Sequence, residues 1–93
     1  MGKYKVVLEE NADLDLQKHK RSGNKAALKK IATIFDELSE HPYTGTGQPE
    51  QLKYDLAGYW SRRINQKDRL IYKVSESIVT VFVISAMGHY EDK

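Results

Sequence analysis

The chain has 93 residues, 15 of them basic and 13 acidic, so its net charge is only +2, and it contains no cysteine. That length fits a single domain over residues 1–93, and the lack of cysteine excludes disulfides and cysteine-based zinc sites. The histidines lie far apart without metal-ligand spacing, and no apolar run reaches the ~20 residues of a membrane span. The polar start does not resemble a signal peptide. We therefore expect a cytoplasmic protein with no metal, no cofactor and no membrane partner.

The first half of the chain predicts a strand followed by two helices. A short strand is expected at Tyr4–Leu8, and Asn11 is expected to cap a first helix that ends at Gly23. A second helix is predicted over Asn24–Glu40, just before Pro42. Its apolar residues recur three and four positions apart and form one stripe: Leu28, Ile31, Phe35 and Leu38. The two helices should form a hairpin that covers a sheet.

The second half predicts a loop and then a run of strands. Two glycines and two prolines mark the loop at His41–Gln51. Four strand candidates follow, separated by short turns that imply antiparallel hairpins: Leu52–Asp55, Tyr59–Asn65, Arg69–Ser75 and Ile78–Ala86. The last is apolar on both faces, so it should be central and buried. The order β-α-α-β-β-β-β predicts an α+β domain, with the N-terminal strand and helical hairpin packed on a mainly antiparallel sheet.

Positive charge is concentrated in one segment of the chain. Residues 51–73 carry six basic and two acidic side chains, whereas residues 1–50 carry eight of each. A local excess of this kind can attract a polyanion even when the whole protein is nearly neutral. A solvated strand face would account for the same cations.

Side-chain alternation separates the arginines of this segment. If Trp60 and Ile64 pack against the helices with the apolar residues of the next strand, Arg63 and Arg69 project from the opposite, open face. Arg62 has the parity of the helix side, and we expect its long stem to carry the charge to the rim of the sheet.

Residues from both ends of this region could converge on the open face. The glycines of the loop allow close backbone approach, so the loop can bring Glu50 over that face, with Lys53 just behind it. An ion pair that ties the loop to the sheet would explain the same carboxylate. Gly88 lets the chain turn, so His89 could fold back over the sheet, although a tail histidine is often simply exposed. Tyr59 and Tyr90 are the better candidates for stacking on bases, since Trp60 and Tyr72 are expected in the core.

A cluster of Glu50, Lys53, Arg63, Arg69 and His89 would suit metal-free RNA cleavage. The carboxylate would take the proton of a ribose 2′-hydroxyl, and the resulting oxygen would attack the adjacent phosphorus. The cations would stabilise the phosphate charge, and the histidine would protonate the departing 5′-oxygen. DNA would be inert because it lacks the nucleophile.

The same residues carry a resemblance to a known family. The sequence resembles the Txe/YoeB group of RelE-like toxins from bacterial toxin–antitoxin systems over most of its length. The matching segments are Lys29–Ile31, His41–Lys53, Leu56–Ile64, Arg69–Tyr72 and His89–Tyr90. Met87-Gly88 departs from the pattern, because the family often has a basic residue and an aromatic residue there.

The resemblance implies a RelE-like fold and an mRNA-cleaving toxin. Such a toxin acts on mRNA in the A site of the 70S ribosome, does not bind DNA alone, and is neutralised by a cognate antitoxin. The catalytic glutamate, arginine and histidine of the family fall on Glu50, Arg69 and His89. We count four residues as supporting RNA contacts: Lys53, Arg62, Arg63 and Tyr90.

Other readings stay open at this level. A non-catalytic protein of this fold could block translation, or bind RNA or the ribosome, through its basic face alone. Some relatives poison DNA gyrase, but they lack the glutamate and histidine pair, so Glu50 and His89 argue against that function. Related toxins can form homodimers, and the sequence does not decide the oligomeric state.

Overall fold

The computed structural model describes residues 3–88 and shows two helices packed against one five-stranded sheet. In chain order, the elements are β1 (Lys5–Leu8), α1 (Glu10–Ser22), α2 (Lys25–Glu40), β2 (Glu50–Gln51), a short 3-10 helix (Tyr54–Leu56), β3 (Trp60–Arg63), β4 (Arg69–Ser75) and β5 (Thr80–Ser85). The predicted α+β class and element order are confirmed.

The sheet is mixed, with strand order β1-β5-β4-β3-β2. β1 runs parallel to β5, and each of the other neighbouring pairs is antiparallel. The apolar strand β5 therefore has a neighbour on both sides, as its composition predicted. Its position hides an edge that would otherwise invite aggregation.

The ends of the helices follow local signals in three cases out of four. Gly23 ends α1 in the left-handed conformation (φ 73°), and the side chain of Asn24 begins α2 by accepting a hydrogen bond from the Ala27 amide, both as predicted. α2 stops at Glu40, as predicted. The prediction that Asn11 caps α1 was wrong: α1 begins at Glu10, one residue before Asn11, and no side chain caps it.

The core lies between the helices and one face of the sheet. From α2 it takes Ala27, Ile31, Ile34 and Leu38, from β4 and β5 it takes Leu70, Tyr72, Val81 and Val83, and Ile64 joins it just after β3. The apolar stripe of α2 is centred on Ile34 rather than on Phe35, which is only partly buried. Trp60 packs at the margin of this core, on the helix side that its parity predicted.

One predicted strand was wrong and three were too long, including Tyr4–Leu8, which loses its first residue. Leu52–Asp55 is not a strand, because Tyr54 adopts a positive φ of 58° and the chain turns into the 3-10 helix there. Tyr59–Asn65 shortens to β3, since hydrogen bonds of the Asn65 side chain to the Lys67 and Asp68 amides form a turn instead. Ile78–Ala86 shortens to β5, whereas β4 has the predicted bounds.

Residues 3–88 contain neither a membrane-spanning helix nor a cluster of metal-ligand side chains. Neither helix in this range is long and apolar enough to cross a membrane. Within the same range, no group of three or more histidine, cysteine, aspartate or glutamate side chains could hold a metal ion.

Candidate active site on the open face of the sheet

Strand register places the predicted site residues on the face away from the helices. Glu50 pairs with Ser61, and Ser61 pairs with Ile71, so their side chains share one face. Arg63 lies directly opposite Arg69 in the antiparallel pair of β3 and β4. Cross-strand partners point to the same side of a sheet, so both arginines project with Glu50, as alternation predicted.

These side chains line a cleft of about 280 Å³ that is open to solvent. Its walls are formed by Gln48, Pro49, Glu50, Arg63 and Arg69. Arg69 Nη1 lies 3.9 Å from Glu50 Oε1 and donates a 3.5 Å hydrogen bond to Ser61 Oγ. The Glu50 side chain remains 57% exposed, so a carboxylate and two guanidinium groups are presented together to a ligand.

Two other predicted contacts lie outside this cleft. Lys53 is exposed, follows the end of β2 and is not part of the cleft lining, because the chain turns away into the 3-10 helix. Tyr59 lies on the open face but lines a separate apolar cleft. Their contacts with RNA stay predictions.

The loop that delivers Glu50 is held from the helix side. The Thr46 amide and hydroxyl both donate 2.7 Å hydrogen bonds to the Glu37 carboxylate on α2. The Gly47 carbonyl accepts a 2.7 Å hydrogen bond from the Arg63 amide on β3. The loop is therefore anchored at both sides before the chain reaches Glu50, and the 3.9 Å ion pair of Glu50 with Arg69 adds to these ties.

Glycine is required at two positions of this loop. Gly45 has φ 122°, and a Cβ there would collide with the Glu37 carboxylate. Gly47 has φ 86°, and a Cβ would stand 2.7 Å from the Arg63 carbonyl oxygen. The next residue, Gln48, keeps a positive φ of 54° despite its side chain, which costs ~1 kcal/mol. Close packing thus fixes the approach to Glu50.

Arg62 is fully buried, so the predictions that it reaches the rim and contacts RNA were wrong. Its guanidinium makes five hydrogen bonds, matching the five donors an arginine has: to Glu37 Oε1, the Tyr72 hydroxyl and the carbonyls of His41, Thr44 and Thr46. The 2.6 Å contact with Glu37 is also an ion pair. Arg62 joins β3, α2 and the loop, which leaves it no donor for a phosphate.

The burial and pairing of Arg62 shift the pKa values of the neighbouring groups Glu37 and Tyr72. Burial raises the pKa of Glu37, but hydrogen bonds from Thr46 and Arg62 and the Arg62 charge outweigh it, so the pKa lies below its usual value. Burial raises the pKa of Tyr72 against the opposing effect of Arg62, while the Tyr72 hydroxyl donates to the Pro42 carbonyl. Glu37 therefore stays ionised beside Arg62 at neutral pH.

Two buried polar side chains of α1 hold the end of β5. Asp15 Oδ2 accepts a 3.0 Å hydrogen bond from the Ala86 amide, and His19 Nε2 lies 2.7 Å from the Ala86 carbonyl oxygen. The pair is spaced four residues apart, about one helical turn, so both backbone polar groups of Ala86 are held from one helix face. Sequence reasoning missed this pair. The spacing of Asp15 with Ala12 and His19 on the inner face of α1 was the available signal.

The next residues are held by the turn between β3 and β4. Asp68 Oδ1 accepts a 2.9 Å hydrogen bond from the Gly88 amide, and the Arg69 amide donates to the Gly88 carbonyl at 2.9 Å. The chain is thus fixed next to Arg69 immediately before His89. His89 and Tyr90, predicted as catalytic acid and RNA contact, lie outside the described residues.

The fold and the cleft define a small α+β protein whose open sheet face carries arginines and one exposed carboxylate. Comparison with known families then gives its class. The model of one family, described as YoeB-like toxin of bacterial type II toxin-antitoxin system, matches residues 9–90. This chain belongs to that family.

Individual relatives agree with this assignment. Toxin YoeB of Synechocystis sp. is 38% identical over 71 residues, which are 76% of this chain and 80% of that protein. The solved YoeB/ParE toxin from Agrobacterium tumefaciens has a TM-score of 0.85 and 36% identity, covering 92% of this chain and 99% of its own. YoeB from Staphylococcus aureus has been solved as a dimer (TM-score 0.78, 31% identity, 95% and 99% coverage) and in a YoeB-YefM complex (0.76, 33%, 94% and 98%).

Proposed function

We propose that this toxin is a metal-independent endoribonuclease that cleaves mRNA in the ribosomal A site. The observation that carries the proposal is the open cleft in which Glu50 lies 3.9 Å from Arg69, with Arg63 opposite Arg69. A carboxylate base beside two phosphate-binding cations is the arrangement that intramolecular RNA cleavage needs.

In this proposal the nucleophile comes from the RNA. Glu50 takes the proton from a ribose 2′-hydroxyl, and the oxygen attacks the adjacent phosphorus. Arg63 and Arg69 stabilise the charge that develops on the non-bridging oxygens, and His89 gives a proton to the departing 5′-oxygen. The products are a 2′,3′-cyclic phosphate and a 5′-hydroxyl end. The contact between Glu50 and Arg69 is long at 3.9 Å and only partly shielded from solvent, so a phosphate can replace the carboxylate as the neighbour of Arg69.

The proposed partners are a cognate antitoxin and the 70S ribosome carrying mRNA, in the cytoplasm. The antitoxin is supported by the Staphylococcus aureus relative solved together with YefM, and homodimer formation by the dimer of the same protein. An antitoxin segment that is disordered until it binds would cover the open face.

Primer extension on translated mRNA tests the enzymatic proposal. Wild-type toxin should create new 5′ ends within the codon at the A site, and Glu50→Gln should abolish them while its thermal unfolding stays unchanged. Glu40→Gln, which alters an exposed carboxyl group at the end of α2, is the matched control and should cleave like wild type. Equal cleavage by Glu50→Gln would refute the role of Glu50, and no cleavage by wild type would refute the proposal.

The non-catalytic alternative makes the opposite prediction for growth. If the basic face alone blocks translation, Glu50→Ala should arrest growth as strongly as wild type. Loss of toxicity in this variant, with normal amounts of folded toxin, supports the enzyme.

A further inference from the structure

A second cleft lies on the open face beside the candidate active site. It has a volume of about 270 Å³, and its lining is mainly apolar: Leu56, Tyr59, Ile71, Ile84, Ser85, Met87 and Gly88. The catalytic scheme uses none of these side chains. We call it the apolar cleft.

The apolar cleft and the active-site cleft are contiguous along β4. Ile71 follows Arg69 by two residues and points to the same side, at a spacing of ~7 Å. Ser61, which accepts a hydrogen bond from Arg69, is the cross-strand partner of Ile71. The Arg69 amide also bonds to the carbonyl of Gly88, a wall of the apolar cleft. A ligand with a phosphate at Arg69 therefore reaches this cleft with its next group.

Beyond the apolar cleft stands another cation on the same face. Lys73 follows Ile71 by two residues, is exposed, and places its Nζ 5.8 Å from the Tyr59 ring centroid and 5.9 Å from that of Phe82. The row Arg69, Ile71, Lys73 thus alternates cation, apolar cleft and cation over ~13 Å. Single-stranded nucleic acid has the matching alternation of phosphates and bases.

We propose that the apolar cleft binds one unstacked nucleobase of the RNA strand whose phosphate lies at Arg69, and that Lys73 contacts a neighbouring phosphate. The base would stack on Tyr59 and pack against Ile71 and Ile84, in the way aromatic platforms hold single-stranded RNA. This inference rests on the proposed function, because it extends the same RNA site by one nucleotide.

A nucleobase fits the apolar cleft better than a peptide does. The floor is formed by β4 and β5, which have neighbours on both sides and so offer no edge for an added peptide strand. The volume is just under the ~300–1,000 Å³ of pockets that hold larger ligands, and suits a single ring system. Cations on two sides match a polyanion rather than an apolar helix face.

Methyl NMR of the full-length toxin can test the proposal without cleavage. The probe is a single-stranded RNA trinucleotide with 2′-O-methyl groups, which cannot supply the nucleophile, and a second trinucleotide lacking one base has the same charge. With the intact trinucleotide at millimolar concentration, we expect ring-current shifts of the Ile71, Ile84 and Met87 methyl resonances. The resonances of buried Ile34 and exposed Ile78 should not move.

The two trinucleotides give opposite outcomes. Removing the base should abolish the Ile71, Ile84 and Met87 shifts. Equal shifts with the abasic trinucleotide, or no shifts with the intact one, overturn the proposal. If only the antitoxin moves these resonances, the cleft is a peptide site and the proposal is also overturned.

Matched variants separate the two parts of the site. Ile84→Thr should weaken trinucleotide binding about tenfold, whereas Ile78→Thr, on an exposed turn, should leave it unchanged. Lys73→Gln should reduce the slope of log affinity against log salt concentration by about 0.7, and Lys5→Gln, also an exposed strand residue, should not change it. Equal effects of a variant and its control would refute that part.

Failure of this inference can be told from failure of the proposed function. Methyl shifts without any mRNA cleavage on ribosomes would support base binding in the apolar cleft and refute the proposed endoribonuclease activity. Cleavage together with silent Ile71, Ile84 and Met87 methyl groups would refute the cleft alone.

Discussion

Arg62 and Arg63 are neighbours in the sequence with the same charge, and they have opposite environments. Arg62 is fully buried and uses every donor on Glu37, Tyr72 and the carbonyls of the loop. Arg63 is exposed and lines an open cleft on the other side of the same strand. Strand alternation divides them, so one arginine builds the site and the other is available to a ligand.

The difference indicates which charged side chains can be removed without a large loss of stability. A buried charge with complete pairing leaves uncompensated partners when it is removed, whereas an exposed charge is replaced by water. Variants on the helix side should therefore unfold the toxin, and variants on the open face should inactivate a folded one.

The largest effect is expected from Arg62→Ala. It removes the guanidinium that pairs with Glu37 and donates to three loop carbonyls, and the free energy of unfolding should fall by ~3–5 kcal/mol. Urea denaturation followed by circular dichroism measures the loss, with exposed Arg21→Ala on α1 as the control. A loss below ~1 kcal/mol would show that the buried network does not hold the fold.

Arg69→Gln should have the opposite pattern of effects, with a small change in stability and a large loss of mRNA cleavage. Its ion pair with Glu50 is long and partly exposed, so stability should change by no more than ~1 kcal/mol. Cleavage of ribosome-bound mRNA should fall by about 10²–10³-fold, because a donor to the developing phosphate charge is lost. Measuring unfolding and cleavage on the same preparation checks both halves, and a variant that unfolds would erase the distinction between the two faces.

Asp15→Ala tests how the helix side positions the chain that leads to His89. It removes the acceptor of the buried Ala86 amide, so we expect a loss of ~1–3 kcal/mol and faster hydrogen exchange at that amide. Asp15→Asn keeps an acceptor oxygen and should lose less, and Asp13→Ala, exposed on the same helix, is the control. Unchanged exchange at Ala86 would contradict the assigned contact.

The smallest expected effect is a pH dependence of the free energy of unfolding that arises from Glu37. Its pKa is lowered in the folded toxin, so the folded state binds fewer protons there than the unfolded chain does. The stabilisation is present above the ordinary pKa of glutamate and is lost as the pH falls through the lowered value. The stability advantage of wild type over Glu37→Gln should thus shrink by under about 1 kcal/mol from pH 7 to pH 3.

A neighbouring carboxyl group supplies the control for that measurement. Asp36 is exposed on α2, and Asp36→Asn should show no such narrowing of the stability difference. An advantage over Glu37→Gln that is equally large at pH 3 and pH 7 would mean that Glu37 is not the titrating group.

The sequence predicted correctly those parts of the fold that depend on interactions between residues close together in the chain. Gly23 and Asn24 end and begin the helices through their own backbone and side-chain preferences, and alternation assigned Arg63 and Arg69 to the open face. Alternation also gave the correct side for Arg62 but not its burial. The partner Glu37 lies on a helix 25 residues away, and most of the other acceptors are backbone carbonyls of a folded loop.

The missed features depend on contacts distant in sequence or on unusual backbone angles. Asp15 reaches Ala86 across 71 residues, which no helix-end rule contains. The turn at Tyr54 has a positive φ without glycine, so nothing in Leu52–Asp55 marked the end of the pairing. Both required knowledge of which elements meet in three dimensions.

The parallel pairing of β1 with β5 has a consequence for when the protein can fold during its synthesis. Lys5 pairs with Thr80, so the first strand finds its neighbour only when the last strand has been synthesised. Until then β4 also lacks its partner β5, and the apolar faces of both helices have an incomplete sheet to cover. Pairing across such a distance is slow because most of the chain must be closed into a loop first. The complete sheet can therefore form only after β5 has been synthesised.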